Sequence, residues 1–207
     1  RMSAQGNRPM TLTAQGAIAD AAGPGRFDVE MSRDDAGRLA IKTQSLPLEK
    51  LDGLLSRFLG EIVLGGRLSS NVECQWGATD ADAMQIRAEA DIDAFALAAP
   101  QLADPIRLAK FRAGFEAASA SGKWVMRRAD VDCDLGKLSL SGDLAYDAKA
   151  SGGILDALMH QTYQATGRVD LARLAAVMPQ TLRIHKETQV SSGELQVELA
   201  SQRSPQG

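Results

Sequence analysis

Aromatic side chains are scarce, at 4% of the 207 residues. A surface that stacks nucleobases needs such rings. A net charge of −3 offers no basic face to release counterions from a phosphate backbone. The longest basic cluster, Arg127-Arg128, does not change that. Nucleic acid is excluded as an expected partner.

Histidine is scarcer still. His160 and His185 are the only two, and neither belongs to an H-x-x-x-H or H-E-x-x-H arrangement. Both are predicted to be surface residues, His185 on the polar face of a strand with Arg183 and Glu187. The strained G-x-S-x-G turn of a serine nucleophile does not occur. The short glycine stretches "AGPGR" and "SGG" lack the pattern that cradles a phosphate. No catalytic residue, metal or cofactor is therefore predicted, and the chain reads as non-enzymatic.

Cysteine is limited to Cys74 and Cys133, which have neither metal-ligand spacing nor the density of a disulfide framework. Each falls on the apolar side of an alternating stretch, where a thiol behaves as a small hydrophobe. Buried free thiols are predicted, with a disulfide as the alternative if their two strands pair. Asp130, Asp132 and Asp134 superficially resemble a calcium loop. That loop needs Gly at its sixth position and Glu at its twelfth, which here are Leu135 and Ser141. Three carboxylates at every second residue are instead expected to share the polar face of a strand.

Long apolar runs are missing too; none approaches the ~20 residues that span a bilayer. The chain opens on Arg1-Met2-Ser3-Ala4 without an apolar leader and closes on "SQRSPQG". Both ends suggest a segment of a longer protein, so residues 1–207 are read as a single β-rich domain within it.

What the sequence has in quantity is alternation. Leu12, Ala14, Gly16 and Ile18 share one face of residues 11–19; Phe27, Val29 and Met31 follow, then Leu39, Ile41 and Thr43. Residues 84–96 set Met84, Ile86, Ala88, Ala90, Ile92, Ala94 and Ala96 against Gln85, Arg87, Glu89, Asp91 and Asp93. Residues 106–119, 123–135 and 138–146 repeat the pattern, although Trp124 and Met126 blur one start. This predicts a long antiparallel meander with one apolar face, forming a curled sheet or β-groove.

Two stretches break the alternation with helical spacing. Pro47, Leu48, Leu51, Leu55 and Phe58 predict an amphipathic helix near 47–59, with Gly60 at its end. Leu171, Leu174, Val177 and Met178 predict a second, capped by Asp170 and stopped by Pro179. Ile154, Leu155, Leu158 and Met159 suggest one further apolar turn, and a last pair of strands is expected at 181–190 and 193–200. The two clear helices belong to loose repeat units around 46–76 and 167–201, each running Leu-x-x-Leu, a stop, then Gly-x-Leu (Gly66/Leu68 and Gly193/Leu195). A curled sheet with one apolar face has open ends, and a short apolar helix can plug one.

"GRVDLARLAAVMPQTLRI…VSSGELQVELAS" (167–201) and "LPLEKLDGLLSRFLGEIVLGGRLS" (46–69) resemble the repeating unit of the AsmA-like and TamB-like envelope proteins. The resemblance implies a repeating β-groove that faces the periplasm. It also implies membrane anchoring through a segment outside this chain, and a role in lipid transport and outer-membrane biogenesis. Phospholipid or acyl chains, and other envelope proteins, are then the expected partners. Leu64, Leu68, Val72, Ile86, Ile92, Val131, Leu140 and Leu144 fall on the apolar side of neighbouring strands and are the predicted lipid-binding residues. The alternative is a structural or protein-interaction β module whose core is filled by its own side chains.

Overall fold

Alternating sequence becomes extended chain throughout. The computed structural model of the protein describes residues 9–34, 36–51, 53, 61–77, 83–100, 102–120, 123–146, 163–185 and 189–201. Its strands are β1 (Met10–Ile18), β2 (Gly25–Arg33), β3 (Gly37–Pro47), β4 (Val63–Trp76), β5 (Met84–Ala98), β6 (Ile106–Ala120), β7 (Lys123–Cys133), β8 (Gly136–Tyr146), β9 (Tyr163–Asp170) and β10 (Glu194–Ser201). They form one sheet in sequence order, each antiparallel to its neighbours. β1 and β10 are the two edges, so the sheet is an open meander and not a barrel. β5 and β6 have 15 residues each, roughly 50 Å of chain at about 3.3 Å per residue.

The strand-connecting turns follow from local chemistry. Gly23 has φ 111° and donates its amide to the Asp20 carbonyl, closing the β1–β2 turn predicted at "AGPGR". Arg67 of β4 reaches back to that turn, bonding the Asp20 carboxylate at 2.9 Å and the Gly23 carbonyl at 2.7 Å. β7 and β8 are joined by Asp134-Leu135 alone, followed by Gly136 at φ 147°.

Helix is confined to the connections. α1 (Leu171–Val177) begins at Asp170, whose carboxylate accepts the Arg173 amide at 3.0 Å, as the sequence predicts. A 3-10 helix occupies Leu48–Leu51 at the start of the predicted helix 47–59. Leu55, Phe58 and Gly60 lie outside the described residues, as do Ile154, Leu155, Leu158, Met159 and His160. The β3–β4 and β9–β10 connections, which carry the two helices, leave the same end of the sheet.

One expected strand is absent among the described residues. Thr181–Arg183 form a turn in which Arg183 takes φ 54°, and β10 pairs with β9 instead. The pairing 195↔169, 197↔167 and 199↔165 places Leu195, Val197 and Leu199 beside Val169, Gly167 and Ala165. That register continues the apolar face, which a pairing with "TLRIHKETQV" could not do as well. His185 consequently lies exposed in a connection and not on a strand face.

Candidate functional site

The apolar residues of successive strands fall into register across the sheet. One row runs Ile41, Val72, Ala88, Phe115, Ala129, Leu140, Ala165 and Leu199 from β3 to β10. The next runs Leu39, Cys74, Ile86, Ala117, Met126 and Leu144. A third joins Ala90, Ala113, Val131, Leu138, Gly167 and Val197, and a fourth joins Leu46, Leu68, Ile92, Phe111 and Cys133. Val72 and Leu140 therefore share a row, Ile86 and Leu144 share another, Leu68 pairs directly with Ile92, and Val131 lies in the row between. Leu64 pairs with Leu97 at the helix-bearing end. All eight predicted residues come together in one sheet, seven of them half-buried, while the side chain of Leu144 is outside the described residues.

Alternation over residues 106–119 already put Phe111 and Phe115 on this face, although neither was named as lipid-binding, and it missed Phe95. Phe111 and Phe115 each oppose a predicted residue or its row neighbour, and Phe95 stacks on Phe111 with ring centroids 4.8 Å apart. Strict alternation puts Phe95 opposite to Ile92. The backbone changes this at Ala94, whose φ of 51° turns the chain out of the β region. The predicted run of Met84 to Ala96 on one face is thus corrected at Ala94, which is exposed.

Ala94 is one of a line of irregularities. β3 and β4 shift register between Thr43 and Leu46, where Ser45 has φ 49°. β4 and β5 shift between Gly65 and Arg67, where Gly66 has φ 117°. A Cβ at Gly66 would press on the carbonyl oxygen of Asp93 at 2.8 Å, so both its backbone angle and its closeness demand glycine. Its freed amide is taken by the Glu49 carboxylate of the 3-10 helix at 2.9 Å. Bulges of this kind bend a strand and sharpen its twist, and beyond them sit the buried residues Leu46, Leu48 and Leu108.

A further bulge resolves the blurred start of β7. Register shifts between Glu116 and Ala117, leaving Arg127 as the extra residue against β6, and between Met126 and Arg128, where β8 has the extra residue at Gly142-Asp143. Met126 then opposes Ala117 and Leu144, so Met126 and Trp124 join the apolar side that Val125 was expected to occupy.

Burial on this face is partial. Among the described residues the buried apolar side chains are Leu46, Leu48, Leu108, Ala117 and, on the reverse face opposite Glu30 and Glu73, Ala40; no large side chain is fully buried. Beyond neighbouring strands, close packing on the sheet comes from the 3-10 helix against β4 and from α1 against β9 and β10. Globular domains set a second layer against a sheet's apolar face; here most of that face has none among the described residues.

The reverse face is charged and self-compensated. Glu73, Arg87, Glu116 and Arg128 oppose one another in sequence across β4–β7, and Asp91, Arg112, Asp132 and Lys137 do so across β5–β8. Arg112 bonds Asp91 at 2.6 Å and Lys137 bonds Asp132 at 2.6 Å. Ser139 donates to Asp130 at 2.6 Å, and Arg128 also bonds that carboxylate. These two bonds, the serine's first, hold Asp130 below the usual carboxylate range. A hollow of about 480 Å³ over Gly114, bordered by Glu89, Arg112 and Asp130, belongs to this face.

The three aspartates predicted to share the polar strand face divide. Asp130 and Asp132 do so, whereas Asp134 sits in the β7–β8 turn and accepts the amides of Ala109 and Lys110. No cluster of metal-ligating side chains occurs among the described residues. Cys74 and Cys133 are free, on strands separated by β5 and β6, and each is half-buried rather than buried as predicted. A single layer cannot enclose them. No helix among the described residues is long and apolar enough to cross a membrane.

No family model, curated protein or solved structure matches the chain.

Proposed function

We propose that this chain is a non-enzymatic β-groove segment of an AsmA-like or TamB-like envelope protein, and that its apolar face shields the acyl chains of phospholipid. In this reading the parent protein is anchored to a membrane through a segment outside this chain and faces the periplasm. It supports lipid transfer and outer-membrane biogenesis, with other envelope proteins as its partners. The observation that carries the proposal is the continuous row from Val72 through Phe115 to Leu140 and Leu199, apolar on every strand yet only partly buried.

The energetics favour an apolar occupant. Each methylene removed from water contributes about 0.8 kcal/mol, so a sixteen-carbon chain gains on the order of 10 kcal/mol before ordering costs. Strands of 14 and 15 residues at β4, β5 and β6 provide enough length for a chain of that size. The filled-core alternative requires fully buried large side chains, and none occurs among the described residues.

Mass spectrometry of organic extracts from the purified protein tests this reading. Phospholipid retained through purification, in an amount near one acyl chain or more per protein, is the expected result. A folded protein free of lipid, and unable to take any up from vesicles, would return the chain to the structural-module reading.

A further inference from the structure

The connection from β9 to β10 does not take the short way between two adjacent strands. After α1 it runs past the end of β8 and β7 as far as the β5–β6 loop. Arg173 donates to the carbonyl of Asp134 in the β7–β8 turn at 3.1 Å. The Asp104 carboxylate, in the β5–β6 loop, accepts the amides of Gln180 at 2.8 Å and Thr181 at 3.1 Å. β9 and β6 are three strand spacings apart, about 14 Å at ~4.8 Å each. A seven-residue helix supplies about 10 Å of that, and Met178-Pro179 completes the reach.

Asp104 is unusual in this molecule. It is 8% exposed, the one buried polar or charged residue among those described. α1, by contrast, has no buried residue at all. The segment is therefore held across the sheet end by a few directed hydrogen bonds and by apolar side chains, Leu171, Leu174, Val177 and Met178, that are half-buried and none of them fully buried. Hydrogen bonds to a charged acceptor are strong individually, and a segment held this way can open locally without unfolding the strands beneath it.

We infer that residues 171–184 form a releasable strap over the helix-bearing end of the sheet, and that Asp104 is its latch. Resting on the groove reading above, the strap controls entry of an acyl chain at that end. The β3–β4 connection is tied down at the same end by the bond from the Gly66 amide to Glu49, whereas Asp104 reaches 76 residues along the chain and holds the far end of the strap.

Hydrogen–deuterium exchange on wild type, Asp104→Ala and Asp104→Asn tests the latch independently of any lipid. The asparagine keeps a carbonyl acceptor in place and is the control. In Asp104→Ala, amides of residues 171–184 should exchange at least tenfold faster, while those of β5–β8 stay protected. Asp104→Asn should stay within about threefold of wild type. Unchanged exchange in Asp104→Ala, or loss of protection spread through β5–β8 in both variants, would overturn the latch.

The second arm is the uptake rate of a fluorescent acyl probe from phosphatidylglycerol vesicles. Faster uptake by Asp104→Ala supports the gating role, and equal rates for the two proteins overturn it. A wild type that takes up no probe defeats the groove reading and the gating role together. The exchange result still decides the latch in that case.

Discussion

Phe95 stacks face to face on Phe111, although strand alternation from Ile92 assigns them to opposite sides of the sheet. The turn at Ala94 reconciles the two. A left-handed conformation costs a residue with a Cβ roughly 1–2 kcal/mol, and the stacked pair and its burial offset this. Phe95→Ala should therefore lower stability by about 2 kcal/mol. Ala94→Gly should raise it by roughly 0.5 kcal/mol, because relief of the backbone exceeds the added freedom of the unfolded chain. Urea denaturation of both variants checks the opposite signs; a loss in Ala94→Gly would mean that Ala94 carries no strain.

Gly37 and Trp76 are partners across β3 and β4. A Cβ on Gly37 would overlap the indole ring, so the ring must move to admit one. Gly37→Ala should displace Trp76, shift its fluorescence to longer wavelength and cost about 2 kcal/mol by overpacking. An unchanged emission maximum would show that the ring has room.

Acid should unfold the protein by a defined route. The carboxyl groups of Asp20, Asp130 and Glu194 are held below their usual values, chiefly by the Ala22 amide, the Ser139 hydroxyl and the Gln196 side chain respectively. A lowered folded pKa contributes stability that is complete above the unfolded value, near 4, and is lost as pH falls through the folded one. The melting temperature should hold between about pH 5 and pH 8 on account of these groups and fall below about pH 4. Asp130→Asn should make the acid fall shallower; an identical acid slope would remove Asp130 from the account.

Both thiols should be countable. Cys74 and Cys133 are free and lie on strands three positions apart, about 14 Å at ~4.8 Å per spacing. Burial raises the Cys74 thiol above its ordinary value, so it should alkylate slowly at neutral pH. Two labels per chain in denaturant, and no loss of label after mild oxidation of the folded monomer, are expected.

Much of this was legible in the sequence, for physical reasons that differ by element. Long alternation in β5 and β6 states the strand, its length and its face at once, because the side-chain period of a strand is two. The Asp170 cap and the Leu171/Leu174 spacing likewise declare α1 locally. Ala94, Ser45 and Arg127 were not legible, since an alanine, a serine and an arginine carry no mark of a bulge. Their positions are fixed by which strand pairs with which, and so the Phe95–Phe111 stack was missed with them. Residues 181–190 misled for the same reason: β10 takes its register from β9, not from the segment that precedes it in sequence. The helix stripe also promised more burial than α1 has, so Leu174→Asp should cost only about 1 kcal/mol, without loss of the sheet.

The central claim is that the apolar face is open to an acyl chain, and one measurement addresses it most directly. Val72 lies in the row with Leu140, and Ile86 opposes Cys74 and Ala117 in the next. Val72→Glu and Ile86→Glu, each confirmed folded by circular dichroism, are titrated with a fluorescent acyl probe beside wild type. A charge facing the acyl chain opposes its burial, so both variants should bind at least tenfold more weakly. Folded variants that bind as tightly as wild type would contradict the claim.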